Sequence, residues 1–139
     1  MIVGVPTLTF TAAPFRDSGR AVCALVAAGR GRYACSLVIA RGEGWETIAP
    51  MTHGSVEDIV ALLYAFPGTL ICGEYDEAAA DAFRASAGAI VPPPGVRIRR
   101  PGALADVAWR RILSGTVDDL VALEPIYLHT STTPAPRAV

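Results

Sequence analysis

The chain contains no lysine, so all twelve of its basic residues are arginine, and it has only two histidines. Charged residues are also scarce, at 18%, and the formal net charge of −1 gives no overall field that would favour nucleic acid or an anionic membrane. With Ala, Gly and Pro abundant, we interpret the missing lysine as a nucleotide bias of the coding gene. The apolar content of 52% exceeds the globular average and suggests a surface that another domain or subunit covers.

The sequence shows neither a transmembrane helix nor an N-terminal signal segment. No apolar run has the length of a transmembrane helix, and no basic segment precedes an apolar one at the N-terminus. We therefore predict a cytoplasmic protein with no membrane partner. The length of 139 residues predicts one domain over residues 1–129, followed by a polar, proline-rich tail at 130–139 that we expect to be disordered.

Complete catalytic or metal-binding motifs are missing as well. Neither GxSxG nor HExxH occurs, and His53 and His129 fall in unrelated predicted loops. The cysteines Cys23, Cys35 and Cys72 are odd in number, lack CxxC spacing and lie in apolar runs, which predicts buried free thiols. We predict no catalytic residue, no metal site and no cofactor.

What the sequence does contain is a run of three strands between residues 21 and 50. Apolar segments at 21–27, 32–40 and 45–49 are separated by glycine-containing turns at 29–31 and 41–44. The first segment is nearly all apolar, so both of its faces should be covered, and the third should lie nearer an edge. These segments predict a three-stranded antiparallel meander.

Helical signals flank the meander on both sides. Before it, Thr7 is a candidate N-cap for a helix over 7–13 that Pro14 would end. After a connector at 51–54, Ser55 and Asp58 form a variant capping box. The helix that follows has one apolar face at helical spacing, made of Val56, Ile59, Val60, Leu63 and Tyr64.

The remaining segments alternate between strand and helix. Short strands are predicted at 69–72 and 88–91, helices at 76–87 and 102–113, and an edge strand or extended connection at 96–99, where apolar and basic residues alternate. The fold class is therefore α/β, with a meander, an α-β-α unit and a helical C-terminus. This is the element order of a ribonuclease H-like half, as found twice in the actin, sugar-kinase and Hsp70 class.

A few side chains are candidates for contacts. Glu74 follows a predicted strand end, where ligand sites of α/β proteins often lie, and is a candidate ligand-side acid. Candidate contacts to a partner or to RNA phosphate are all arginines: Arg30, Arg32, Arg97, Arg99 and Arg110. Trp45 and Trp109 are predicted to be partly buried anchors, and an exposed tryptophan would mark an interface.

Four short segments occur in the order found in one family. They are VGVPTL at 3–8, LVAAGRGRYA at 25–34, ICGE at 71–74 and the closing LEPIYL at 123–128. Together they resemble the C-terminal part of the TsaB (YeaZ) family, the glycoprotease-like accessory proteins of threonylcarbamoyladenosine synthesis on tRNA. The chain departs from the family pattern at Ala27, at Arg32 and at His129, where the family has Asp, Glu and Arg.

The resemblance implies a noncatalytic accessory or scaffold role. The implied partner is a TsaD-type catalytic subunit, and other components of threonylcarbamoyl transfer are further candidates. Contact of this chain with tRNA would be only indirect. The sequence looks like the second half of such a protein, and in the family the first half makes most of the contact with the TsaD-type subunit. Two alternatives stay open, namely a small α/β nucleotide-binding protein or enzyme, and a structural homodimerisation module that pairs through the meander edge.

Overall fold

A computed structural model describes residues 1–86 and 88–126 of the chain. The predicted tail, His129 and the last two residues of the closing motif lie outside the described residues. Within these ranges the fold is α/β, as predicted from the element order, with helices on a four-stranded mixed sheet.

The sheet contains β1 (Ala21–Ala27), β2 (Tyr33–Arg41), β3 (Gly44–Gly54) and β4 (Leu70–Gly73) in the order β3-β2-β1-β4. β1, β2 and β3 pair antiparallel as the predicted meander, and β4 pairs parallel to β1. β1 therefore lies between two strands, and this position explains its nearly uniform apolar sequence.

β3 is longer than the sequence predicted. Residues 51–54, expected to be a connector, continue the strand to Gly54. The pairing of β2 with β3 is shifted by irregularities between Cys35 and Leu37 and again between Leu37 and Val38. Such bulges admit extra residues into one strand, so a run interrupted by Pro50 still pairs as an edge strand.

In the described part of the chain the helices are α1 (Thr7–Ala12), a 3-10 helix (Ala13–Ser18), α2 (Val56–Ala65), α3 (Glu77–Arg84), α4 (Pro94–Arg97) and α5 (Pro101–Leu113). The capping box that begins α2 is confirmed. The Asp58 main-chain N–H donates to Ser55 Oγ at 3.3 Å, and the Ser55 N–H donates to the Asp58 carboxylate at 2.8 Å.

Three predictions about the other elements were wrong. The N-cap of α1 is Pro6, and Thr7 is already helical. The alternating stretch 96–99 is not a strand, because Pro94 has the φ of a first helical residue and α4 runs through Arg97. The predicted strand 88–91 contributes a single parallel bridge, between Leu70 and Ile90.

Two apolar clusters hold the sheet between helices. On one face, buried side chains of β1 and β2 pack against Ile59 and Leu63 of α2 and Phe83 of α3. On the other face, buried side chains of β1 and β4 pack against Leu8 and Ala12 of α1. Tyr64, predicted to belong to the apolar face of α2, is 61% exposed, which corrects that prediction.

α5 lies outside both clusters. It packs against α1 and the 3-10 helix, yet none of its thirteen residues is buried. Trp109 is 59% exposed on it, so the prediction of a partly buried anchor was wrong there, whereas Trp45 on β3 is half-buried. None of the helices within 1–86 and 88–126 combines the length and apolarity needed to cross a bilayer.

Candidate functional site

An open groove of about 930 Å³ lies between the segment before α1 and the segment 123–126 of the described chain. Its floor is a cross-strand row on the α1 side of the sheet, formed by Val26, Ala34 and His53. One flank is the extended segment before α1, which includes Val5, and another is the segment 123–126. We call this feature the groove.

A polar clamp joins the two flanks of the groove. The Gly4 N–H donates to Asp118 Oδ2 at 2.7 Å, and the Arg111 guanidinium makes two 3.0 Å hydrogen bonds to the same carboxylate. Arg111 also donates to the Gly4 carbonyl oxygen, and the Asp118 N–H donates to the Ile2 carbonyl at 3.1 Å. Gly4 is more than a hundred positions from both Arg111 and Asp118, so no local sequence pattern predicts the clamp.

The Asp118 carboxylate of the clamp is paired with an opposite charge and with a main-chain N–H donor. The hydrogen bonds from Arg111 and from the Gly4 N–H hold the pKa of Asp118 below its ordinary value. The two charged side chains are only 28% and 27% exposed, so their bidentate pairing is less screened than that of a fully exposed pair. The charges of Arg111 and Asp118 cancel, which leaves Glu124 as the unbalanced charge of the groove lining.

The groove continues onto an uncovered part of the sheet. A second hollow of about 250 Å³ lies beside α1 over the same face, where Ser36 and Val38 of β2 meet Thr47 of β3. Arg16 covers the far end of this face with its guanidinium 5.6 Å from the Trp45 ring. Among the described residues, α1 and the 3-10 helix therefore cover this face of β2 only in part.

Glu74, the predicted ligand-side acid, is already paired. Both of its carboxylate oxygens accept hydrogen bonds from Arg99, at 2.7 and 2.9 Å. This contact raises the pKa of the Arg99 guanidinium. Glu74, the predicted acid, and Arg99, a predicted basic contact, are therefore bound to each other. The pair is partly exposed and lies apart from the groove lining.

Arg97, predicted to be a surface contact, is 96% buried, so that prediction was wrong. Its guanidinium lies 4.0 Å from the centre of the Tyr75 ring and donates to the Tyr75 carbonyl at 3.1 Å. Within the described residues it makes no ion pair, and its Nη1 has no hydrogen-bond partner. Burial raises the pKa of Tyr75 to about 12, while the Arg97 charge opposes that rise.

The other predicted arginines do not converge on one patch. Arg30 is exposed in the β1–β2 turn with a φ of 53°, and Arg32 donates to the His53 carbonyl at 3.4 Å. Arg110 on α5 lies 3.5 Å from Glu43 in the β2–β3 turn. The candidate arginines are therefore spread over separate elements.

The cysteines carry no reactive site. All three are buried and unpaired, as predicted. Burial raises the pKa of each thiol, that of Cys72 to about 12, which keeps the thiols protonated. Across the described ranges no three His, Cys, Asp or Glu side chains are grouped closely enough to hold a metal ion.

Comparison with known proteins adds no relative to this description, because no protein-family model matches the chain and no curated protein matches it.

Proposed function

We propose that the chain is a TsaB-like accessory domain that works by protein contact with a TsaD-type subunit in tRNA threonylcarbamoyladenosine formation. The observation that carries the proposal is the strand order β3-β2-β1-β4, with an antiparallel meander and a parallel fourth strand. The bridge from Leu70 to Ile90 adds a parallel neighbour on the outer side of β4. This arrangement supports a ribonuclease H-like half, the fold that the family resemblance implies.

The exposed apolar surface supports a role in contact. α5 buries none of its residues, and Trp109 and Leu113 on it are 59% and 70% exposed. Tryptophan is enriched at the centres of protein interfaces, where its large ring is desolvated. An exposed tryptophan and leucine on a helix with no buried residue fit an interface, so we infer that they meet another polypeptide.

The nucleotide-binding alternative has less support. The Glu74 carboxylate is held by Arg99, and the glycine-rich turn after β1 joins two strands, whereas a phosphate loop joins a strand to a helix. Isothermal titration with ATP and with ADP discriminates between the two functions. The accessory role predicts no saturable heat, and clear micromolar binding of either nucleotide would favour the alternative.

Homodimerisation through the meander edge is also less favoured. β3 is the edge strand, but its two register irregularities and Pro50 interrupt the regular row of main-chain groups that edge pairing requires. Light scattering tests this alternative, because edge pairing predicts a dimer.

A pull-down with the cognate TsaD-type subunit tests the proposed function. The immobilised subunit should retain the purified chain, and beads without it should not. Equal retention by both kinds of bead would contradict the proposal.

A further inference from the structure

The groove has the character of a binding site. Its volume of about 930 Å³ lies near the upper end of the roughly 300–1,000 Å³ that ligand pockets enclose. Its lining is mainly apolar, with small side chains such as Ala34 on the floor and larger ones such as Leu123 and Ile126 on the flank. The small side chain of Ala34 on the floor, between larger side chains on the flank, leaves room for a bulky side chain from outside.

Some main-chain groups on the flanks have no hydrogen-bond partner among residues 1–86 and 88–126. Val5 precedes α1 outside any helix or strand, and its N–H and carbonyl make no hydrogen bond to another described residue. The same holds for the main chain of Glu124 on the other flank. Unpaired main-chain groups beside an apolar groove are what strand addition by a partner peptide uses.

The charge of the groove selects the kind of segment. Arg111 and Asp118 neutralise each other through the clamp. Glu124 is exposed and has no ion-pair partner among the described residues. A complementary segment therefore brings one positive charge together with its apolar side chains.

We propose that the groove receives an extended segment of the TsaD-type subunit that carries large apolar side chains and one basic residue facing Glu124. This inference rests on the proposed function and adds to it the surface used and the chemistry recognised. The groove is formed entirely by this chain, so the contact would not require the surface that the family uses in its first half.

Two groove variants and two matched controls test the proposal by isothermal titration into the cognate TsaD-type subunit. Glu124→Lys reverses the charge of the groove, and Glu57→Lys makes the same charge change on an exposed residue of α2, across the sheet and outside the groove. Ala34→Trp fills the floor, and Ala61→Trp places the same bulk on the exposed side of α2, across the sheet. Thermal unfolding of each variant establishes that it is folded.

We expect Glu124→Lys to raise the Kd about tenfold and Ala34→Trp by at least as much, because like charges or filled space oppose the incoming segment. Both controls should bind like the wild-type chain. Tight binding by all four variants would overturn the groove proposal and leave the proposed function standing, as would equal weakening by groove and control variants. A wild-type chain that does not bind the subunit would overturn both.

Discussion

Replacement of Gly73 by alanine should be one of the most damaging single-methyl changes in this domain. Gly73 ends β4 with a φ of +117°, and a Cβ placed there would lie 1.9 Å from the carbonyl oxygen of Leu25 on β1. Because that oxygen belongs to the main chain of a buried strand, no side-chain rotation relieves the clash. The methyl group can be accommodated only if β1 and β4 separate at their ends.

The size of the loss follows from three contributions. The left-handed backbone costs an alanine about 1–3 kcal/mol. Separation of the strands weakens the hydrogen bond from the Glu74 N–H to the Leu25 carbonyl, worth about 1 kcal/mol. Disturbed packing around Leu25 adds about 1 kcal/mol or more. We expect the free energy of unfolding to fall by about 4 kcal/mol and the Tm by roughly 15 °C.

Urea unfolding followed by far-ultraviolet circular dichroism measures this loss. The matched control is Gly19→Ala, because Gly19 also has a positive φ, of 67°, but a Cβ there would meet nothing within 4 Å. The control therefore carries the backbone strain without the clash and should lose only about 1 kcal/mol. Equal losses for the two variants would refute the close approach of Gly73 to Leu25.

Three further predictions concern the core, the clamp and the thiols. Phe83→Ala should lower the free energy of unfolding by about 3–5 kcal/mol in urea titrations, because Phe83 is fully buried and meets the Tyr75 ring edge-on at 5.2 Å. Tyr64→Ala, on the exposed side of α2, should change the free energy of unfolding by less than about 0.5 kcal/mol. Similar losses for Phe83→Ala and Tyr64→Ala would contradict the assigned core. The folded-state pKa of Asp118 is lowered, so its contribution to stability is present above the unfolded value of about 3.9 and is lost as pH falls through the folded pKa. Asp118→Asn should therefore have a lower free energy of unfolding than the wild type at neutral pH, and this difference should shrink below about pH 4. A difference that does not depend on pH would contradict the clamp. The buried thiols, including Cys72 with its pKa of about 12, should resist an aromatic disulfide reagent near pH 8 and react once urea unfolds the chain; rapid reaction of the native protein would contradict their burial.

The parts of the fold that the sequence predicted are those with local causes. β1 and β2 follow from apolar runs separated by a glycine turn, and the start of α2 follows from the reciprocal capping of Ser55 and Asp58. The mixed sheet follows from the element order. For these strands and for the start of α2, the signal lies within about ten neighbouring residues, where periodicity and turn chemistry act directly.

The secondary-structure predictions were wrong at segments where tertiary packing outweighs the local pattern of apolar and polar residues. Residues 51–54 pair as strand because bulges in the β2–β3 ladder admit an irregular run. Residues 96–99 alternate like a strand, but Pro94 begins a helical turn, and Arg97 is then buried against Tyr75. The burial of an arginine depends on an aromatic partner 22 positions away, and alternation of residue types carries no information about it.

The groove could not be predicted because its parts come from both ends of the described chain. Gly4 and Asp118 are 114 positions apart, yet one hydrogen bond joins them. No pattern in the sequence relates His53 to the closing LEP segment, although both line the groove. The candidate acid Glu74 was placed correctly after a strand end, but its pairing with Arg99 could be seen only in the fold.

We propose that this domain acts by binding a TsaD-type subunit, and sedimentation velocity on an equimolar mixture of the two purified proteins shows whether it does. The account predicts one boundary that sediments faster than either protein alone and disappears when the chain is unfolded beforehand. Two boundaries that keep the sedimentation coefficients of the separate proteins at every concentration would contradict it.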